Sequence, residues 1–263
     1  MSTGDHRQAH RAAPGKKGED LRPIWTRPEP GSRRPRLTRE QIATVAVAIA
    51  DTEGFEAVAM RRVAAELGTS PMSLYHYIAG KEDLVALMDD ALMAETVVPD
   101  DELPADWRQA VATIARHTRA AFLRHPWALA ALHGQNAPPS TPISPNAWLH
   151  FEQQLAVLAT SPLDIGAQLD LLTIVNDFVT GHALRAGEME QRRNTDPAVV
   201  EAAVEFGQEL LRSGRYPFIE ALSRDPGGAG AGAAILDEQH FEEQFERGLW
   251  LLIDGSYTTR RRG

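Results

Sequence analysis

One stretch constrains the fold of this chain more than any other: Arg61-Arg62-Val63-Ala64-Ala65-Glu66-Leu67-Gly68-Thr69-Ser70-Pro71-Met72-Ser73-Leu74-Tyr75-His76-Tyr77-Ile78. Met60, Val63, Ala64 and Leu67 recur on one helical face, which predicts a helix over about 59–67. Gly68 stops it, because glycine alone enters the left-handed region without penalty. Ser70 is placed to cap a new helix, and Pro71 stands at its first position, where a missing N–H is harmless. That helix is expected over about 71–78, anchored by Leu74 and Ile78, with Met72, Ser73, His76 and Tyr77 facing outward. Helix, short rigid turn, helix is the form of a DNA reader.

The flanks support it. Thr38 and Gln41 have the spacing of a capping box, and Leu37 and Ile42 that of a hydrophobic staple. Ile42, Val45, Ala46 and Ile49 continue one apolar face, and Gly54 is placed to end the helix. After Gly80 a fourth helix begins, with Glu82 and Asp83 in its first turn, favourable for the helix dipole. Leu84, Leu87, Met88 and Leu92 form its inner face to about residue 95.

Charge is unevenly placed. The net charge is −9, yet residues 1–36 hold nine Lys/Arg against four Asp/Glu, or +5, leaving −14 for the remainder. A basic end beside the reader suits phosphate binding. Residues 1–36 are rich in Pro, Gly, Arg and Lys and lack an apolar period, so they are read as a disordered basic tail. Arg33, Arg34 and Arg36 are placed to lie along phosphates or enter a minor groove.

The remainder reads as helices at about 105–124, 126–133, 146–159, 164–188, 197–213 and 237–254. A proline-rich loop at 134–145 and a Gly/Ala run at 223–234, expected to be a flexible insertion, interrupt them. No stretch alternates as a strand. The fold class is all-α: a three-helix helix-turn-helix DNA-binding domain over 37–83, then a larger helical ligand-binding and dimerisation domain over 84–263. The chain contains no cysteine, which excludes disulfides and thiolate chemistry. HExxH, P-loop and GxSxG patterns do not occur, so an enzyme is not expected, nor a metal or cofactor. No apolar run approaches the about 18–20 residues of a membrane span, and no signal-peptide pattern opens the chain, so the cytoplasm is expected.

At the reader, Ser70, Pro71, Met72 and Ser73 lie at the helix start, where short hydroxyl and apolar groups suit base edges and thymine methyls. His76 and Tyr77 can donate to bases or phosphates. Arg61, Tyr75 and Lys81 lie where backbone phosphates would pass.

Leu37-Thr38-Arg39-Glu40-Gln41-Ile42, Ala50, Gly54, Arg61, Val63-Ala64, Leu67-Gly68, Leu74-Tyr75, Lys81 and Leu84 together resemble the tetracycline-repressor (TetR) family of bacterial regulators. The resemblance implies an all-helical homodimer that binds a palindromic operator and is released by a small molecule. It also implies that Tyr75 and Lys81 touch phosphates. Trp107, Arg124-His125, His133-Gly134, Gly181, Phe245 and Gly248-Leu249 extend it, more weakly, to the subgroup of the tetracycline repressor itself. That subgroup's magnesium–tetracycline site does not carry over. His133 fits only with a one-residue shift, and Arg185 stands where a glutamate would be. An aromatic, polyketide-like effector and control of an efflux gene are the better expectation.

The helix at 164–188 is apolar on two stripes, as in a helix buried between two partners. One stripe, with Leu169, Leu172, Thr173 and Asn176, is assigned to a ligand cavity together with His117, Thr118, Trp127, His133, Trp148 and Phe151. The other, Leu171, Val175, Phe178 and His182, is assigned to a dimer interface with Phe241, Phe245, Leu249 and Leu252 in a four-helix bundle.

Overall fold

A computed structural model of the chain describes residues 22–29, 37–132, 143–193, 195–224 and 238–258. The N-terminal unit comprises α1 (Arg39–Glu53), α2 (Met60–Glu66), α3 (Pro71–Leu74) and the start of α4 (Lys81–Ala94). α1 begins on the expected capping box: Gln41 N donates to Thr38 Oγ1 at 3.1 Å and Thr38 N to Gln41 Oε1 at 3.0 Å. Gly68, at φ +62°, takes the left-handed turn after α2. Thr69 N then donates to the Ala64 carbonyl at 2.9 Å, fixing the path into α3. Ile42, Ala46, Ile49, Val63, Leu74, Ile78, Leu84 and Met88 pack as one core.

Two expectations are corrected here. The reading helix is a single α-turn, Pro71–Leu74, followed by turns through Tyr77 rather than a helix to 78. Leu74 and Ile78 are nevertheless both buried, so packing rather than helix length orients the segment. The stretch before residue 37 is also not wholly a tail. Ile24 is 2% exposed and belongs to the N-terminal core. Arg27 forms a bidentate pair with Asp83, at 2.6 and 2.9 Å. The Arg39 guanidinium donates to the carbonyls of Ile24, Arg27 and Tyr77. A single buried isoleucine leaves no period to read, which is why composition alone misassigned it. Residues 1–21 and 30–36, with Arg33, Arg34 and Arg36, lie outside the described residues.

The C-terminal unit comprises α5 (Trp107–Arg124), α6 (Trp127–Leu132), α7 (Pro145–Ala159), α8 (Ile165–Arg193), α9 (Pro197–Arg212), α10 (Pro217–Arg224) and α11 (Glu238–Thr258). No strand occurs among the described residues. α10 was not foreseen; it takes up the start of the expected insertion, and residues 225–237 lie outside the described residues. α5, α8 and α11 meet in a core of Trp107, Val111, Ala115, Phe122, Leu171, Val175, Val179, Ala183, Phe245, Leu249 and Ile253. α11 approaches α8 closely at Gly248, where a Cβ would lie 2.6 Å from the Phe178 ring.

α7 grips α4 and its exit. Asp90 Oδ1 accepts from Asn146 N at 2.9 Å, and the Asp90 carbonyl accepts from the Asn146 amide at 3.1 Å. Gln153 brackets Val98, accepting from its N–H at 3.0 Å and donating to its carbonyl at 2.7 Å. Buried His150 is held by the Thr96 backbone, and burial keeps its pKa below the ordinary value. Asn146, His150 and Gln153 stand at i, i+4 and i+7, one face of a helix.

Removing the Arg27 side chain strands the largely buried Asp83 carboxylate. Arg27→Ala is expected to lower the unfolding free energy by about 3 kcal/mol. A urea midpoint equal to wild type would show that residues 22–29 are dispensable to the domain.

Candidate nucleic-acid interface and ligand cavity

The reader presents a small chemical surface. Ser70 Oγ accepts from Ser73 N at 3.2 Å and lies 3.0 Å from Ser73 Oγ, so the two hydroxyls hold each other at the start of α3. Met72 beside them is 72% exposed and Tyr75 is 50% exposed. His76, Lys81 and Arg61 are exposed, whereas Pro71 and Ser73 are half-buried. Arg62, next to Arg61, is occupied by Glu53 and Glu66, whose hydrogen bonds raise its pKa further. Arg61, exposed, is in no ion pair among the described residues. Tyr77 departs from expectation: it is half-buried against the N-terminal core rather than facing outward.

Lys81 also touches the joint between the units. Its Nζ lies 5.3 Å from the Phe55 ring centroid, and Phe55 stacks on Trp127 at 5.8 Å. Trp127 Nε1 donates to Asp51 Oδ1 at 2.7 Å. The same oxygen meets His125 Nδ1 at 2.7 Å, and His125 Nε2 lies 3.1 Å from Glu95 Oε1. Arg124 pairs with Glu95 as well. The end of α1, the end of α4 and the α5–α6 turn thus meet around one buried histidine. Trp127, expected in the ligand cavity, belongs to this joint and packs on both cores.

An apolar cavity of about 20 Å³ lies between α5, α7 and α8, lined by Val111, Ile114, Ala115, Gln154, Leu158, Leu171, Leu172 and Val175. Its polar group is Gln154, whose Nε2 donates to Asn176 Oδ1 at 2.9 Å. Of the expected ligand residues, Leu172 lines this cavity and Asn176 holds its amide. Thr118 is buried, but its hydroxyl already donates to the Ile114 carbonyl. Thr173 is exposed and donates to the Leu169 carbonyl, and Leu169 is also exposed. His117 faces outward from α5, 3.8 Å from Glu102. Trp148 is exposed, edge-on to half-buried Phe151. His133 lies outside the described residues.

α8 is therefore not divided as expected: Leu172 and Asn176 of one stripe and Leu171 and Val175 of the other meet at the cavity. Leu171 and Val175, expected at a dimer face, line the cavity and pack in the chain's own core. Phe178 stacks on Phe245 at 5.5 Å, and His182 on Phe241 at 3.8 Å. Leu249 is buried and Leu252 half-buried in the same core. The outward faces of α8 and α11 instead expose Ile174, Leu184 and Leu251. Periodicity finds two apolar stripes but does not say which one α5 and α11 cover. Gln154 was missed because a single glutamine on a helix carries no pattern.

Behind the cavity, Arg119 donates to both oxygens of Glu242 and to His182 Nδ1 at 3.2 Å, with its guanidinium 4.5 Å from the Phe245 ring. Burial first, then the charge of Arg119, lowers the His182 pKa to about 4. Arg185, at the position of the absent glutamate, donates to Gln244 at 2.8 Å.

A short reader on a three-helix unit, joined to a larger helical unit with an apolar cavity between its helices, defines a helix-turn-helix regulator with an effector domain. Residues 42–88 match the family described as bacterial regulatory proteins, tetR family, and residues 99–260 the tetracyclin repressor-like C-terminal domain, so the chain belongs to the TetR family. It is 34% identical over 260 residues to the HTH-type transcriptional repressor DrrR1 of Streptomyces coeruleorubidus, covering 96% of this chain and 90% of that protein. It is 26% identical over 177 residues to the tetracycline repressor protein class E of Escherichia coli, covering 67% of this chain and 80% of that protein. Among solved structures it is similar to ActR of Streptomyces coelicolor in complex with actinorhodin, with a TM-score of 0.60 and 26% identity over 86% of this chain and 98% of that one. Regulators of this family are not enzymes; they bind operator DNA and small-molecule effectors and act as dimers. No helix among the described residues is long and apolar enough to cross a membrane.

Two outcomes follow from this geometry. Lys81→Ala is expected to weaken binding to operator and random duplexes alike and to lower the salt slope by about one unit. Met72→Ala should instead cost about 1–3 kcal/mol on operator only. Fluorescence anisotropy at two salt concentrations separates them, and equal losses on both DNAs for both variants would refute the assignment. The second concerns His182. The unfolded chain binds this proton more readily than the folded one, so the stability present at neutral pH is lost as pH falls from about 6.5 toward about 4. The loss approaches about 1.4 kcal/mol per pH unit for one proton. Thermal melts of His182→Gln should decline less between pH 7 and 4.5 than wild type; parallel declines would contradict the role given to His182.

Proposed function

We propose that this repressor is released from a palindromic operator by an uncharged, largely apolar aromatic molecule of the polyketide kind that binds between α5, α7 and α8. The observation that carries this reading is the small interhelical cavity: apolar walls, one amide pair and no charged lining residue. Natural-product pockets of this type pair apolar walls with a few polar anchors. ActR, whose solved complex contains actinorhodin, supports the effector class.

The cavity holds about one water molecule, so an effector requires α7 and α8 to part. Parting them opens the Gln154–Asn176 bond. It also displaces a helix whose Asn146, His150 and Gln153 grip α4 and its exit. α4 carries the Asp83 that fixes the N-terminal unit through Arg27 and Ala79. The effector therefore favours an open state in which the two readers no longer match operator spacing, and it acts only through that difference in affinity. In this reading the two-fold contact uses the outward faces of α8 and α11, where Ile174, Leu184 and Leu251 are exposed. Arg61, Tyr75 and Lys81 position the dimer on phosphates, and Ser70, Pro71, Met72, Ser73 and His76 face base edges. The regulator works in the cytoplasm, and the gene it controls encodes an exporter of the effector.

An operator selected from random duplexes provides the test. Actinorhodin should raise the apparent Kd of wild type for this operator. Gln154→Leu should bind operator as wild type does but respond to actinorhodin about tenfold more weakly, reflecting one lost buried hydrogen bond. Leu172→Trp, which fills the cavity, should not respond. Operator affinity indifferent to saturating aromatic polyketides in wild type would refute the reading.

A further inference from the structure

A second concavity lies on the other side of α7. The segment that leaves α4 and the outer face of α7 enclose a groove of about 660 Å³, within the range of drug-sized sites and far larger than the interior cavity. Val98, Leu103, Trp107, Leu149 and Val157 form its apolar walls, and Leu149 is 50% exposed. Two carboxylates, Asp100 and Glu152, stand on its lining, and no Lys, Arg or His does. Neither carboxylate is engaged in an ion pair among the described residues. Other exposed acids are neutralised by a neighbouring arginine, as Glu53 and Glu66 are by Arg62 and Glu246 is by Arg116. An apolar trough with two uncompensated negative charges is complementary to one ligand chemistry, an apolar body bearing a positive charge.

We propose that this groove is a second small-molecule site, for a cationic amphiphile. The apolar body covers Leu103, Leu149 and Val157, and the cationic centre sits between Asp100 and Glu152. The site is independent of the interior cavity and of the effector reading given for it. Its position has a consequence, because Gln153, which brackets Val98, also lines the groove. An occupant therefore touches the point at which the chain leaves α4.

Tetraphenylphosphonium and tetraphenylborate have the same shape and opposite charge, and calorimetric titration of the full chain with each tests the proposal. The phosphonium is expected to bind once per chain, and the borate at least tenfold more weakly at this site. Asp100→Asn combined with Glu152→Gln removes both charges from exposed positions and should weaken the phosphonium about tenfold, two exposed ion pairs' worth. Ala156→Trp should occlude the groove and abolish binding, while the interior variant Leu172→Trp should retain it. No phosphonium binding to wild type, equal affinity for the borate, or affinity unchanged in the double variant would overturn the assignment. Loss of binding in Leu172→Trp would place the ligand in the interior cavity and overturn it too. Two further results would do the same. Binding that appears only after deletion of residues 1–21 would make the chain's own basic segment the occupant. Dissociation of the dimer by Leu149→Glu in sedimentation would make the groove a protein contact.

Discussion

Trp127 is the residue on which the two halves of the molecule depend. Its ring stacks on Phe55 beside the reader, and its N–H is fixed by Asp51 at the end of α1. It packs on both hydrophobic cores at once. Asp51 in turn holds His125, which Glu95 meets from the end of α4. One carboxylate serves an indole and a buried imidazole, so a shift of either half breaks one of these hydrogen bonds. Together with the α4–α7 grip, this contact ties the orientation of one separately packed unit to the other.

α7 completes the linkage because it has two working faces. Toward the interior, Gln154 and Leu158 close the cavity. Toward α4, Asn146 and Gln153 hold Asp90 and Val98 by bonds to backbone and carboxylate. Polar bonds of this kind are directional and few, so they transmit displacement of a helix better than a sliding apolar contact does. The same helix presents a third edge, Leu149 and Glu152, to the groove on its far side. An apolar cavity, a polar grip and an acidic groove therefore share fifteen residues.

Much of the reader was legible in the sequence. The Thr38–Gln41 box, the left-handed Gly68 and the Ser70–Pro71 start are local events, set by backbone chemistry within a few residues. Leu74 and Ile78 were legible as anchors for the same reason. Tyr77 was not, because whether an aromatic faces out or in depends on what α1 brings beside it. Ile24 was invisible because a single buried residue has no period. The cavity was legible in kind but not in membership. Leu171 and Val175 against Thr173 and Leu169 is a choice between two stripes of one helix, and nothing within that helix makes it. Gln154, Asp51 and His125 acquire their roles from partners 22 and 74 residues away.

The sequence by itself determined that this chain is helical, where the reader starts and turns, and which side chains stand at its tip, because caps, glycines and periodicity act over one or two turns. Tertiary structure decided which stripe of α8 faces inward, that Trp127 joins the units rather than lining the cavity, and that Tyr77 turns inward. It also decided that the cavity between α5, α7 and α8 is small. Those outcomes depend on which helix covers which face. That is settled by total apolar burial and by the few hydrogen bonds left to pair, summed over residues far apart in the chain.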